Sequence, residues 1–185
     1  MLAHIPNFIS LARLLVVPLV VYLVLNERMV AAFWVFVAAG ISDAADGFIA
    51  KRFNAGSLLG RYLDPLADKV LLVTLFVLGG YMNFLSVWLV ILVVFRDAMI
   101  VGGAMLFHAL IDTLEVSPLP VSKVNTALQI VLVAAALAFR GYDLELSSLQ
   151  AALEYAVAAT TLASGGAYLV KWSRLAATID KDKRL

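Results

Sequence analysis

Long apolar segments separated by short polar stretches make up most of this chain of 185 residues. A helix that crosses a bilayer needs about 20 mostly apolar residues, and six segments reach or approach that length. The pattern therefore predicts an all-α, polytopic membrane protein with six transmembrane helices. The predicted helices are Phe8–Leu25, Met29–Arg52, Leu58–Gly80, Leu85–Phe107, Ser122–Phe139 and Ser147–Trp172.

Turn-forming residues mark some of the connections between these segments. The run Gly79–Asn83 predicts a turn after the third helix. The more polar segment Ala109–Val121, which holds Pro118 and Pro120, predicts a loop before the fifth helix. Since no linker or internal repeat divides the sequence, residues 1–185 are predicted to form a single domain.

Composition strengthens the membrane interpretation. Apolar residues form 63% of the chain, whereas a soluble domain has nearer half. The sequence contains no cysteine, which excludes disulfides, thiolate metal sites and a cysteine nucleophile. No nucleic-acid partner is expected.

Basic residues predict the orientation, because they are enriched in cytoplasmic loops. One end of the predicted bundle offers only Arg28 and Arg140. An even number of spans then places both termini in the cytoplasm. The first residues lack a basic stretch and a small-residue cleavage site, which favours a bacterial inner membrane over a mitochondrial one. The other, basic end holds Lys51, Arg52, Arg61, Lys123, Lys171, Arg174, Lys181, Lys183 and Arg184.

Four aspartates lie inside the second and third predicted helices, where a carboxylate is costly. At 1.5 Å per residue, Asp46 lies about 9 Å and Asp43 about 14 Å from the cytoplasmic end of the second helix. Asp64 lies about 10 Å and Asp68 about 16 Å into the third. A short turn joins these helices, which predicts antiparallel neighbours. The four carboxylates are therefore expected to meet at one level, in a cavity open to the cytoplasm.

Such a group of carboxylates suits hard divalent cations. Oxygen ligands favour Mg²⁺, Mn²⁺ or Ca²⁺ over zinc or copper, and four negative charges could hold two ions. Two ions about 4 Å apart can bind a phosphate and stabilise its entering and leaving oxygens. Gly47 and Ala50 allow a bulky planar group to approach the backbone, Gly60 lies one turn before the third aspartate, and Lys51 and Ser57 are candidates for holding a diphosphate.

Two other interpretations of the aspartates remain open. They could form structural ion pairs with Lys69, Arg61 and Arg96, or they could line a path for divalent-cation or proton transport. Transport is disfavoured because all four carboxylates cluster near one face of the bilayer. In addition, Gly47 and Gly60 have no clear role in an ion path.

The spacing of these residues resembles a known signature, that of the CDP-alcohol phosphatidyltransferase family. The one departure is Lys51, where the family usually has arginine; the charge is kept but the bidentate geometry is lost. The opening Pro6-Asn7 also resembles the glycerophospholipid branch of the family. The matching run reads Asp43-x2-Asp46-Gly47-x2-Ala50-Lys51-x8-Gly60-x3-Asp64-x3-Asp68.

The resemblance implies a specific site. Asp43 and Asp64 would bridge two divalent cations, Mg²⁺ or Mn²⁺, with Asp46 completing one and Asp68 the other. Asp68 would also be the base that accepts the proton of the attacking hydroxyl. The resemblance further implies a homodimer. The residues expected to bind CDP-diacylglycerol are Asn7, Gly47, Ala50, Lys51, Ser57 and Gly60.

The acceptor is predicted from segments outside the motif. Ser122–Gln129 and Arg96-Asp97 resemble the CMP-forming cardiolipin synthases, one branch of the family. This likeness implies transfer of a phosphatidyl group from CDP-diacylglycerol to phosphatidylglycerol, giving cardiolipin and CMP. The alternative acceptor is glycerol 3-phosphate, which would give phosphatidylglycerophosphate. Candidates for binding the acceptor phosphate are Arg61, Arg96 and Lys123, although Arg96 could instead neutralise a motif aspartate.

Overall fold

The computed structural model describes the backbone of residues 5–53, 58–110 and 119–182, and the side chains of residues 15–42, 69–106 and 119–177. Within these ranges the chain forms helices and no strand, which confirms the all-α class. The helices are α1 (Ile5–Leu25), α2 (Met29–Phe53), α3 (Leu58–Tyr81), α4 (Val87–Leu110), α5 (Pro120–Gly141) and α6 (Ser147–Asp182).

The helix bounds predicted from the sequence agree closely with the observed bounds for the first five helices. For the sixth helix, the predicted end differs from the observed one. Pro120 begins α5 in the first helical turn, a position where its missing N–H costs nothing. The last helix was predicted to end at Trp172, where the apolar run ends, but it continues to Asp182. The segment after Trp172 contains neither glycine nor proline, so nothing in it stops a helix.

Two of the six helices meet a length and hydropathy test for crossing a bilayer when only the described residues are searched. They are Val87–Leu106 of α4 and Pro120–Gly141 of α5. The apolar stretches of α1, α2 and α3 are shorter than 18 residues in the described part. The six-span topology, the placement of both termini and the single-domain organisation therefore stay predictions.

The helices pack around α3 and α5, each of which contacts three other helices. Helix α1 contacts α2 and α3, while α5 contacts α2, α3 and α6, and α4 contacts α3 and α6. In the part of the chain that the structure describes, no Cα atom of α2 lies within 8 Å of a Cα atom of α3. The prediction that they are neighbours therefore stays limited to their aspartate-bearing ends, whose side chains lie outside the described residues.

The interior and the outer surface are both largely apolar. The core contains fully buried side chains such as Val24, Phe76 and Leu132. The outside exposes large apolar side chains such as Ile91 and Phe95. A surface of this kind suits contact with lipid rather than with water. By contrast, the polar side chains Arg96, Asp97, Asn125, Gln129, Glu154, Thr161 and Ser164 are buried.

Specific contacts join the helix ends. At the end that holds the α5–α6 connection, Trp34 Nε1 donates to Tyr142 Oη at 3.0 Å. At the opposite end, the Trp172 ring of α6 packs on Gly103 of α4, where a Cβ would overlap the ring. Beside that contact, the Leu119 N–H lies 3.4 Å from Tyr168 Oη. The Trp172–Gly103 and Leu119–Tyr168 contacts align α4, α5 and α6 at the end where the predicted site opens.

Candidate active site

The aspartate motif lies on two continuous helices. Asp43 and Asp46 belong to the last three turns of α2, and Asp64 and Asp68 to the first three turns of α3. Their side chains lie outside the described residues, so their convergence stays a prediction. Among the side chains that are described, no three His, Cys, Asp or Glu residues group together as metal ligands. The donor set of the motif, four carboxylates, has the chemistry that hard divalent cations require.

The other predicted CDP-diacylglycerol ligands are placed only by their backbone. Ser57 lies between α2 and α3, outside the described backbone. The rest lie on helices, and their side chains are not among those described. Asn7 belongs to α1, Gly47, Ala50 and Lys51 to α2, and Gly60, with the acceptor candidate Arg61, to α3.

Arg96 is the centre of a buried polar cluster that joins three helices. Its side chain lies on α4, and the residue is 3% exposed. Nη1 donates to Asp97 Oδ1 at 2.6 Å. Nη2 donates to Ser122 Oγ of α5 at 2.6 Å and also to Ser164 Oγ of α6. The planar guanidinium with several fixed donors suits such a junction better than an ammonium would.

These contacts bear on the two roles predicted for Arg96. Its described counter-ion is its own neighbour Asp97, not a motif aspartate. Its Nε atom is buried without a hydrogen-bond partner among the described residues. Binding of an acceptor phosphate by Arg96 stays a prediction. Lys123, a second candidate, is exposed next to Ser122.

Asp97 also pairs with Lys69 of α3. The Lys69 Nζ atom lies 3.1 Å from Asp97 Oδ2. From the sequence, Lys69 is predicted to point away from Asp68 and either to pair structurally or to snorkel, while Asp97 enters only as part of a resemblance. The available signal was a carboxylate beside a buried arginine on an apolar helix, which requires cationic partners. The structure therefore identifies Asp97 as the partner of Lys69, the residue that follows Asp68 in the chain.

The segment that suggested the acceptor forms a polar contact between α5 and α6. Asn125 Oδ1 accepts hydrogen bonds from Thr160 Oγ1 at 2.8 Å and from Thr161 Oγ1 at 2.9 Å. Asn125 Nδ2 and Gln129 Nε2 are buried without a partner among the described residues. At least part of the Ser122–Gln129 segment thus holds helices together, as polar side chains do in membrane bundles.

A cavity of about 490 Å³ lies between α2, α3, α4 and α5. Its walls are mostly apolar, and they include Phe36, Leu72 and Ile130. The Lys69–Asp97 pair contributes charge to the same cavity. A space of this size with apolar walls and a few polar groups can hold part of a small amphiphile. Gly40, which also lines it, lies one helical turn before Asp43.

The fold and the cluster define a class: an α-helical protein with an apolar outer surface and charged groups held in its interior. Residues 3–163 match the family described as CDP-alcohol phosphatidyltransferase. The chain belongs to that family, which confirms the resemblance drawn from the motif. Dependence on divalent metals is general in the family.

Curated relatives carry two kinds of name. A CDP-diacylglycerol–glycerol-3-phosphate 3-phosphatidyltransferase 1, chloroplastic, of Oryza sativa subsp. japonica is 35% identical over 93% of this chain and 58% of its own. A cardiolipin synthase (CMP-forming) of Rattus norvegicus is 37% identical over 89% of this chain and 60% of its own. The Homo sapiens protein of that name is 38% identical over 72% of this chain and 50% of its own. The chain thus spans 50–60% of the length of these relatives.

Proposed function

We propose that this protein transfers a phosphatidyl group from CDP-diacylglycerol to phosphatidylglycerol, forming cardiolipin and releasing CMP. The observation that carries this proposal is the four-aspartate motif on α2 and α3, inside the region that matches the family. The family supports the chemistry, which is displacement of CMP from a nucleotide diphosphate lipid by an alcohol. Family membership also counts against the transport interpretation of the same carboxylates.

The choice of acceptor rests on narrower support. Relatives named cardiolipin synthase include proteins 37% and 38% identical to this chain, and the Ser122–Gln129 segment resembles that branch. The rice relative supports glycerol 3-phosphate as the alternative acceptor. The apolar cavity beside Lys69 suits part of a lipid chain, which the donor CDP-diacylglycerol supplies with either acceptor.

The motif residues have distinct roles in the proposed reaction. Asp43, Asp46, Asp64 and Asp68 would hold two divalent cations, Mg²⁺ or Mn²⁺. Bound there, such ions would supply Lewis-acid stabilisation of the diphosphate charge. Lys51 would add a positive charge for the diphosphate. Asn7, Gly47, Ala50, Ser57 and Gly60 complete the proposed CDP-diacylglycerol site.

Bond changes follow from this placement. The acceptor hydroxyl oxygen forms a bond to the phosphorus that carries diacylglycerol, and the bond from that phosphorus to the CMP oxygen breaks. Asp68 accepts the hydroxyl proton. Arg61, Arg96 and Lys123 are the cations proposed to orient the acceptor phosphate.

The proposed setting is a bacterial inner membrane, with six spans, both termini and the active site on the cytoplasmic side, and a homodimer as the assembly. The apolar outer surface supports a bilayer environment. The excess of basic residues at the end where the motif lies supports the orientation.

The test is an acceptor competition with purified protein. Detergent micelles containing CDP-diacylglycerol and Mn²⁺ receive either phosphatidylglycerol or glycerol 3-phosphate, and CMP release and lipid products are measured. We expect cardiolipin with phosphatidylglycerol and little product with glycerol 3-phosphate. Turnover with glycerol 3-phosphate but not with phosphatidylglycerol would overturn the proposed identity of the acceptor. Failure to release CMP with either acceptor would overturn the transferase proposal.

A further inference from the structure

The carboxylate of Asp97 binds cations from two helices, one through each oxygen. Oδ1 lies 2.6 Å from Arg96 Nη1 and Oδ2 lies 3.1 Å from Lys69 Nζ. The Asp97 side chain is 10% exposed, so it depends on these cations to offset its lost hydration. The position of the Lys69 ammonium therefore depends on where Asp97 is held.

Asp97 is itself held on a framework of three helices. Arg96 binds Ser122 of α5 and Ser164 of α6 while it binds Asp97 on α4. The guanidinium thus fixes Asp97 relative to two further helices. Through Lys69, whose side chain is 40% exposed, α3 is joined to this framework by an ion pair.

Lys69 follows Asp68 directly in α3. Since α3 is one continuous helix from Leu58 to Tyr81, a rotation about its axis that moves Lys69 turns the positions of Asp64 and Asp68 by the same angle. Rotation of a helix by one residue step is about 100°, so even a small fraction of a step redirects a carboxylate. The Lys69–Asp97 contact opposes such rotation.

We propose that the Lys69–Asp97 ion pair is a positioning contact that fixes the rotation of α3, so that the four-aspartate motif binds divalent cations tightly. This inference rests on the metal site of the proposed function, although not on the identity of the acceptor. Neither residue touches substrate in this role. Both residues act by fixing the rotation of α3, which sets the positions of Asp64 and Asp68.

Replacing Lys69 with an uncharged residue distinguishes the positioning effect of its side chain on Mn²⁺ binding from the direct electrostatic effect of its charge. A positive charge beside a group of carboxylates weakens their attraction for cations by Coulomb's law. Loss of that charge alone would therefore tighten Mn²⁺ binding. Loss of positioning would weaken it. The two effects predict opposite signs for a single substitution.

The experiment measures Mn²⁺ binding to the purified protein in micelles without lipid substrate, by electron paramagnetic resonance of free Mn²⁺. For Lys69→Met we expect the Kd to rise about tenfold, the lower end for loss of an outer contact to a metal site. Lys69→Arg, which keeps an N–H donor for Asp97, should restore most of the affinity. Asp97→Asn should weaken binding to a similar extent.

Glu154→Gln is the matched control, since Glu154 is a buried carboxylate on α6 that accepts from Ser86 N near the opposite end of the bundle. It should leave the Kd within about twofold of the parent value. If Asp97→Asn does not fold, Lys69→Met decides the question, because it leaves the Arg96–Asp97 pair intact.

If folded Lys69→Met binds Mn²⁺ as tightly as the parent protein or more tightly, the inference is overturned. It is also overturned if the parent protein binds no Mn²⁺. Weaker binding that Lys69→Arg restores supports it. Because no lipid is present, a protein that binds Mn²⁺ but makes no cardiolipin would overturn the acceptor proposal alone.

Discussion

At the scale of single residues, the buried arginine of α4 joins three helices through its hydrogen bonds. Arg96 reaches one carboxylate and two serine hydroxyls on three helices. An arginine can do so because its donors lie in a rigid plane that points in several directions. These hydrogen bonds compensate the cost of burying the Arg96 charge, and they make the effect of replacing the guanidinium predictable.

Arg96→Lys should destabilise the protein even though the charge is kept. One ammonium cannot reach Asp97, Ser122 and Ser164 together, so buried acceptors lose their donors. We expect a loss of about 1–3 kcal/mol in the free energy of unfolding, measured by thermal unfolding in detergent. Arg140→Lys, at an exposed site, is the control and should change little. Equal unfolding midpoints for both variants would contradict the structural role.

Asp68→Asn should abolish turnover while leaving the protein folded. The amide keeps the shape of the side chain but cannot accept the proton of the acceptor hydroxyl, and it is a weaker cation ligand. The loss in kcat should reach at least about 10²–10⁴-fold, the usual contribution of a general base. CMP release reports the rate and circular dichroism reports the fold.

Asp143→Asn removes an exposed carboxylate at the far end of the bundle, so its activity should equal that of the parent protein. Parent-like kcat in Asp68→Asn would rule out the assignment of Asp68 as the base.

At the scale of helices, the close packing of the Trp172 ring of α6 on α4 depends on one glycine. A Cβ at Gly103 would overlap the Trp172 ring, whereas a Cβ at the adjacent Gly102 would meet nothing within 4 Å. Small residues allow such close approach between helices in membranes. The pair of glycines therefore offers two identical substitutions in unlike surroundings.

Gly103→Ala should lower stability, by about 1–3 kcal/mol for overpacking. Gly102→Ala should leave stability unchanged or raise it by up to about 1 kcal/mol, because alanine is the better helix former. Thermal unfolding in the same detergent compares the two. If Gly103→Ala were as stable as Gly102→Ala, the close contact between Trp172 and α4 would be refuted.

The helices were largely predictable from sequence because apolar length and turn residues define them locally. Even so, the end of α6 was missed, since helix propensity continued after hydropathy fell. The motif on α2 and α3 was found from spacing. The Lys69–Asp97 and Arg96–Ser164 contacts could not be predicted, because they depend on how helices rotate against one another, which local patterns do not encode.

At the scale of the whole molecule, the described outer surface is far more apolar than that of a water-soluble protein. Large apolar side chains face outward and the charged cluster faces inward. With the family match, this arrangement supports a bilayer around the bundle. The orientation in that bilayer can be tested directly, because the chain has no cysteine of its own.

Single cysteines at two exposed sites should react with a membrane-impermeant maleimide from opposite sides. Glu145→Cys lies in the α5–α6 connection, and Ala177→Cys lies near the end of α6. In intact bacterial cells we expect external labelling of Glu145→Cys only, with Ala177→Cys labelled after the membrane is opened. The converse pattern would reverse the predicted orientation, and labelling of both sites in intact cells would exclude a span between them.

The Lys69–Asp97 pair also bears on how the chain enters a membrane during synthesis. The ribosome makes Lys69 before Asp97, so the cation of α3 emerges well before its counter-ion on α4. The sequence of α3 also contains Arg61, Asp64 and Asp68, and charged side chains in hydrocarbon are unfavourable. Helix α3 alone is therefore unfavourable in lipid. We expect it to leave the translocon only after α4 has been made, so that the two helices enter the lipid together as a hairpin.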